Sequence, residues 1–524
     1  MAAIRLVQGV MTVGVWTLLS RVFGFVRDIL IAAWVGTGPV AEAFLVAFAL
    51  PNMFRRFFAE GAFNMAFVPM FSKKLEADDG AESFARDALS ALTAILLVFS
   101  ILATVFMPWL VLLMASGFAG DERFDMAVTL GRIVFIYIFF ISLAALVSGV
   151  LNASGRFVAA AAAPVLLNVI LIGAMILAEA GWVTGSFIDP GAEGSVHGSA
   201  LAVGVVLAGI AQLAFVWVAA KRAGFSLIPR RPVWTPELKR LAIIAAPAAL
   251  AGGVVQINLL VGRQVASFFD GAIAWLSYAD RLYQLPLGVV GIAIGIVLLP
   301  DLSRRLQAED TEGGRAAFNR AAEMSLALAV PAAVALAVIP VTLVGVLFER
   351  GAFTSEDTAA TALACAIYGL GLPAFVLQKV LQPLFFARED TRRPFYYALV
   401  ALVVNAVVAV GLAPVIGFTA AAIGTTVAGW AMLALLMRGA RGMGDAAAFD
   451  ARFRDRVWRI LAAAAVMGAV LWLADLALAP IFGSGGGKFL GLVVLVGVGI
   501  VSYGLAGLAL KAFRVSELRA VVRR

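Results

Sequence analysis

One cysteine, Cys365, and one histidine, His197, are all that the 524 residues contain. A lone cysteine excludes an intrachain disulfide framework and is expected to pack inside a helix. A lone histidine excludes histidine-based metal centres and catalytic triads, so no metal site is expected. It lies in DPGAEGSVHGSA, a loop-like stretch where simple solvation is expected. Charge is scarce as well, at 14% of residues against 63% hydrophobic, with a mean hydropathy of +1.00. Too little polarity is present to clothe a water-facing surface, which points to a polytopic membrane protein. No cleavable signal peptide is expected, because the first apolar run is too long and is interrupted by charge. The segments between apolar runs are too short for a soluble catalytic domain. Glycine-rich FGSGGGKF is not a nucleotide-binding loop, since no Ser or Thr follows Lys488 and no strand precedes it. An enzyme is therefore not expected, nor is a cofactor.

What the chain has in abundance is long apolar runs. A span needs roughly 20 such residues, and fourteen runs qualify, from 12–35 at one end to 487–512 at the other. If the N-terminus is cytoplasmic, only Arg123, Arg132, Arg350 and Lys488 of the 40 Lys+Arg fall in outer loops. Arg21, Arg27, Arg55, Arg56, Arg263, Arg281 and Lys379 fall within spans, and the others collect on the inner side. That bias predicts both termini inside. The same bias accounts for the net charge of +8. Basic loops such as KRAGFSLIPRRPVWTPELKR are expected to anchor on anionic membrane lipid, and no nucleic-acid partner is implied.

Two halves of the chain echo each other. VPMFSKKL (Val68 to Leu75) returns as LPDLSRRL (Leu299 to Leu306), and the Arg156–Asn168 pair returns as Arg393–Asn405. Each match joins spans six apart. The expected organisation is a six-span lobe over 1–222, a second over 223–441, and two extra spans with a basic tail over 442–524. An even repeat keeps both lobes in one orientation, about an axis along the membrane normal. This is a transporter architecture, with substrate handled between the lobes.

The charges inside the spans are not scattered. On a helix at 100° per residue, Thr17, Ser20, Arg21, Gly24, Arg27 and Asp28 share an arc of about 120°, which predicts an open polar face centred on Gly24. The second span carries Asn52, Arg55, Arg56 and Glu60, with Arg56 and Glu60 spaced to pair on one helix face. Arg263 lies in the seventh span, with Asp280, Arg281 and Gln284 in the eighth; Glu42 sits near an outer end. Six arginines thus face Asp28, Glu60 and Asp280. Unpaired in lipid, six would cost on the order of 15–20 kcal/mol even on the mildest insertion scale. The excess positive charge is expected to line a water-filled cavity and to await an anion. Arg stays charged and grips phosphate bidentately, so a phosphate- or diphosphate-bearing ligand is the natural fit. Asp475, deep in the thirteenth span, has no account at this level.

SRVFGFVRD, LPNMFRRFFAEGAF, LNASGRF, PVLLN, YADRLYQLPLGVVGIAIGIVLLP and REDTRRP together resemble the MurJ (MviN) lipid II flippases. These belong to the multidrug/oligosaccharidyl-lipid/polysaccharide exporter superfamily. The resemblance covers both lobes. It implies an all-α protein of fourteen spans that carries lipid II, the undecaprenyl-diphosphate-linked peptidoglycan precursor, between leaflets of the bacterial cytoplasmic membrane. It also implies that Arg21, Arg27, Arg55 and Arg281 are cavity arginines, and that Asp28, Asn52 and Glu60 belong to the same substrate site. Arg56, Arg263, Asp280, Gln284 and Glu42 are secondary candidates, Glu42 standing where the family often has Asp. The last two spans would form a groove for the lipid tail. Sodium-binding carboxylates that some relatives carry in spans seven and eleven are missing, and the cell-wall synthesis machinery is a candidate partner. Two readings from other classes compete. A drug/cation antiporter of the superfamily should hold spare carboxylates rather than spare arginines. A lipid-linked glycosyltransferase should present a general base on a sizeable outer loop, where this chain offers only Asp189, Glu193 and His197.

Overall fold

A chain in hydrocarbon has no water to satisfy its backbone, so each apolar run must close its own hydrogen bonds and coil. The computed structural model describes residues 2–55, 62–308, 310–482 and 487–513, and among them the regular elements are all helical. The α-helices in chain order are α1 (Ala2–Trp34), α2 (Pro39–Arg55), α3 (Ala62–Glu76), α4 (Ala81–Val105), α5 (Met107–Met114) and α6 (Glu122–Val134). They continue with α7 (Tyr137–Ala153), α8 (Phe157–Glu179), α9 (Ser195–Arg222), α10 (Pro236–Ala266), α11 (Ala272–Gln307) and α12 (Thr311–Val338). The last six are α13 (Pro340–Phe348), α14 (Ser355–Phe386), α15 (Arg392–Ile416), α16 (Thr419–Ala440), α17 (Ala451–Phe482) and α18 (Lys488–Ala509).

Among the described residues, ten stretches are long and apolar enough to cross a membrane. They are α4, α6 with α7, α8, α9, α12, and α14 to α18, which correspond to the expected spans three to six and nine to fourteen. The remaining four expected spans correspond to α1, α2 with α3, α10 and α11. Those four carry most of the charge that the sequence places inside spans. Two expected spans are broken where proline removes an N–H. Phe106 separates α4 from α5, which has a proline in its first turn, and Ile339 separates α12 from α13, which opens on Pro340.

Packing divides the chain into two compact units. The first comprises Met1–Ala274 with Arg350–Phe353; the second comprises Trp275–Glu349 with Thr354–Arg524. The second unit begins at Trp275, in the first turn of α11. In the first unit α1 packs on α8, α8 on α9, α2 on α6, and α10 on α3. Its centre is α7, where Tyr137, Leu146 and Val147 are fully buried and the Tyr137 hydroxyl donates to Gln212 at 3.1 Å. In the second unit α12, α14, α15 and α16 pack together and the α17–α18 pair joins them through α12. A cluster of Ile339, Met467, Leu471 and Leu495 makes that last joint. Cys365 is buried in α14, as expected.

Candidate functional site

Helix α1 runs through SRVFGFVRD without interruption, so its polar residues keep helical spacing. Arg27 and Asp28 are both buried, at 5% and 6% exposure, whereas Arg21 is exposed. Arg27 folds its guanidinium back over its neighbour: Nε and Nη2 donate to Asp28 Oδ1 at 3.0 and 2.6 Å. Its Nη1 donates to Asn168 Oδ1 on α8 at 2.9 Å. Asn168 Nδ2 in turn donates to the Ser20 carbonyl at 2.9 Å. The Phe48 ring of α2 lies 6.0 Å from the guanidinium carbon. Consecutive residues on a helix do not naturally face each other, and here a third group, on another helix, takes the remaining nitrogen of the guanidinium. The expected open face is corrected here. Gly24 does not look into open space; a Cβ there would meet the Asn168 amide at 3.5 Å. Arg27 therefore belongs to a tight polar joint between α1 and α8, while Arg21 stays accessible on the same helix.

On α2, Asn52 bonds back to the Phe48 carbonyl at 2.7 Å, and Arg55 ends the helix half-buried. Arg56 and Glu60, and the pair they were expected to form, lie outside the described residues. In the second unit Arg281 is exposed on α11, and Gln284 donates to Asp280 one turn below it. Arg263 is half-buried near the end of α10. Its neighbour Gln264 has a structural job, accepting from the Ser116 N–H and hydroxyl at 2.9 and 2.7 Å and donating to the Leu112 carbonyl at 2.9 Å.

Glu42 is the carboxylate that sequence reasoning undervalued. It is 1% exposed and accepts from Arg123 Nη1 at 2.9 Å and from the Ile273 N–H at 3.0 Å. Arg123 also pairs with Asp121 at 2.6 Å and Asp270 at 3.0 Å, and lies over the Phe118 ring at 4.6 Å. This cluster ties α2, the start of α6 and the α10–α11 turn together within the first unit. Burial works against ionisation of Asp121, yet the hydrogen bonds and charge of Arg123 outweigh it and hold that carboxyl below its ordinary value. A signal was available: Arg123 is among the few basic residues on the expected outer side, and a basic residue kept there against the bias needs an internal partner.

Two further expectations change. His197 is not a solvated loop residue; it sits in the first turn of α9, stacked on Trp34 at 5.8 Å and 3.2 Å from Glu179. Asp475 gains its account, accepting from the Thr342 hydroxyl of α13 at 2.6 Å. Among the described residues no group of three or more His, Cys, Asp or Glu could hold a metal ion.

Comparison with known proteins follows the same lines. Residues 31–485 match the family model described as "Lipid II flippase MurJ". A probable lipid II flippase MurJ of Rhizobium tropici is 44% identical over 94% of this chain and 93% of its own length. Its counterpart in Rhizobium meliloti (strain 1021) is 46% identical over 90% of this chain and 86% of its own length. Among solved structures, a lipid II flippase MurJ in an inward closed conformation superposes with a TM-score of 0.77 at 23% identity, covering 95% of this chain and 98% of that one. An inward-facing multidrug-resistance MATE transporter of the MOP superfamily superposes at 0.64 and 15% identity, covering 82% and 95%, a likeness of fold alone. On the length and identity of these matches, the chain belongs to the lipid II flippase MurJ family.

Proposed function

We propose that this chain carries lipid II from the inner to the outer leaflet of the bacterial cytoplasmic membrane, with no covalent chemistry of its own. One observation carries the residue-level reading: a guanidinium, Arg27, is buried in a membrane unit with one carboxylate and one amide as its partners. Such a cation is expensive in hydrocarbon and marks a ligand path. Among the described residues its three bonds leave two of the five guanidinium N–H groups for a phosphate.

The anion-binding set comprises Arg21, Arg27, Arg55 and Arg281, with Asp28, Asn52 and Glu60 as counter-charges and orienting groups. Glu42, Arg56, Arg263, Asp280 and Gln284 assist. The diphosphate meets the arginines while the polyprenyl tail stays in hydrocarbon. The lobes are those of the sequence repeat, both termini face the cytoplasm, and the cell-wall synthesis machinery takes up the product. A diphosphate of about −2 leaving a negative interior gains about 4–5 kcal/mol per 100 mV. The potential then drives export, provided the empty carrier returns with its arginines paired.

The test is a leaflet assay in cells that depend on this chain, with outer-face lipid II labelled by an impermeant probe. Arg27→Ala and Arg281→Ala, at matched protein levels, should each deplete outer-face lipid II while total lipid II rises. An unchanged distribution in well-inserted variants would reduce those arginines to structural roles and reopen the antiporter reading. Flipping that persists unchanged after the potential is collapsed would remove the proposed driving force.

A further inference from the structure

We infer that Asn168 is a positioning residue for transport, which closes the Arg27–Asp28 pair in the empty carrier and so governs return rather than substrate capture. The inference rests on the reading of Arg27 as a diphosphate ligand.

The geometry is specific. The side-chain amide of Asn168 uses both ends: its oxygen takes Arg27 Nη1 at 2.9 Å, and its nitrogen gives to the Ser20 carbonyl at 2.9 Å and approaches the Ser20 hydroxyl at 3.4 Å. These contacts bracket two turns of α1, and Gly24 between them lets α8 approach. Arg27 and Asp28 are about 100° apart on their helix, so attraction alone leaves the guanidinium several rotamers. The amide oxygen selects the one that lays it over Asp28. Asn168 is itself 6% exposed, so the choice is made where an unpaired guanidinium is costly.

The sequence repeat supplies a contrast. Asn405 aligns with Asn168 and is fully buried, yet it packs on α16, where its Oδ1 lies 2.7 Å from the position a Cβ on Gly424 would take. The helix that corresponds to α1, α10, packs in the first unit. The two repeat positions thus sit in different surroundings, Asn405 close against Gly424 of α16 and Asn168 on a buried cation.

An incoming diphosphate competes with two groups for Arg27. Asp28 supplies the counter-charge, and Asn168 supplies direction without charge. Removing the direction leaves the arginine available to the diphosphate but slows re-formation of the neutral pair after release. Replacing the amide with a carboxylate adds a competing charge at the same place.

The experiment uses full-length protein, undecaprenyl diphosphate as the binding probe in detergent, and lipid II flipping in proteoliposomes. Asn168→Ala should bind the probe at least as tightly as the native chain, within twofold, while its maximal flipping rate at saturating lipid II falls about tenfold. Asn168→Asp, nearly the same shape, should bind the probe about tenfold more weakly. The inference is overturned if Asn168→Ala flips at the native rate. It is equally overturned if binding and flipping fall together with the unfolding midpoint, or if Asn168→Asp binds like the native chain. Arg27→Ala in the same assays separates the two readings: native flipping by that variant sinks the proposed role of Arg27 itself, whatever Asn168 does.

Discussion

Replacing Arg123 with methionine should cost more stability than removing its buried partner Glu42, although the two share one ion pair. The asymmetry follows from what each substitution leaves behind. Arg123 is tied to three carboxylates, Glu42 at 2.9 Å, Asp121 at 2.6 Å and Asp270 at 3.0 Å. With Glu42→Ala, the arginine keeps two of them. The main loss is the acceptor for the Ile273 N–H, worth about 1–3 kcal/mol when a buried donor is orphaned. With Arg123→Met, the Glu42 carboxylate stays at 1% exposure with backbone N–H groups alone for company. Stranding one member of a buried pair costs about 3–5 kcal/mol. Removing the stranded charge should then recover stability, so Arg123→Met/Glu42→Leu should be more stable than Arg123→Met. The assay is reversible unfolding in mixed detergent micelles, read by tryptophan fluorescence and arranged as a double-mutant cycle. A cost for Arg123→Met below about 1 kcal/mol, or a double variant as unstable as the sum of the singles, would refute the reasoning.

Three further outcomes are expected. Gly351→Ala should cost about 2–4 kcal/mol, since its φ is +58° and its Cβ would collide with the Ala33 carbonyl oxygen; Gly80→Ala, at φ +61° with nothing within 4 Å, should cost only about 1 kcal/mol in the same unfolding assay. Thr342→Val should cost about 0.5–1.5 kcal/mol by removing the bond to Asp475, with little added by a second change of Asp475→Leu. Asp121 has a depressed folded-state pKa, so its bond to Arg123 stabilises at neutral pH and is lost as pH falls through that lowered value. The stability gap between the native chain and Asp121→Asn should therefore shrink on acidification below about pH 4, and a gap independent of pH would contradict it.

How much of this was legible in the sequence depends on which forces act locally. Helical class and the ten spans found among the described residues follow from hydropathy and the need to close backbone bonds within each run. Those constraints act along the chain, residue by residue. The arginines of α1 were legible as expensive and therefore significant, because insertion cost depends on residue type and depth. Their partners were not. That Arg27 bonds both Asp28 and Asn168, far along the chain on α8, depends on which face α1 turns to its neighbour. Periodicity gives the relative angles of side chains but not the absolute rotation of the helix.

The same reason explains Glu42 and Asp475. Each reads as an isolated charge in an apolar run, and each is satisfied by a group distant in sequence, Arg123 in one case and Thr342 in the other. His197 reads as loop because glycine and serine surround it, yet the start of α9 lies beside the end of α1 and its ring stacks on Trp34. By itself, then, the sequence determined the solvent this chain lives in, the coil of its backbone and its family, all of which are sums over local chemistry. Only the tertiary structure decided which cation is neutralised by which acceptor, because pairing requires two helices to meet at a particular rotation and depth.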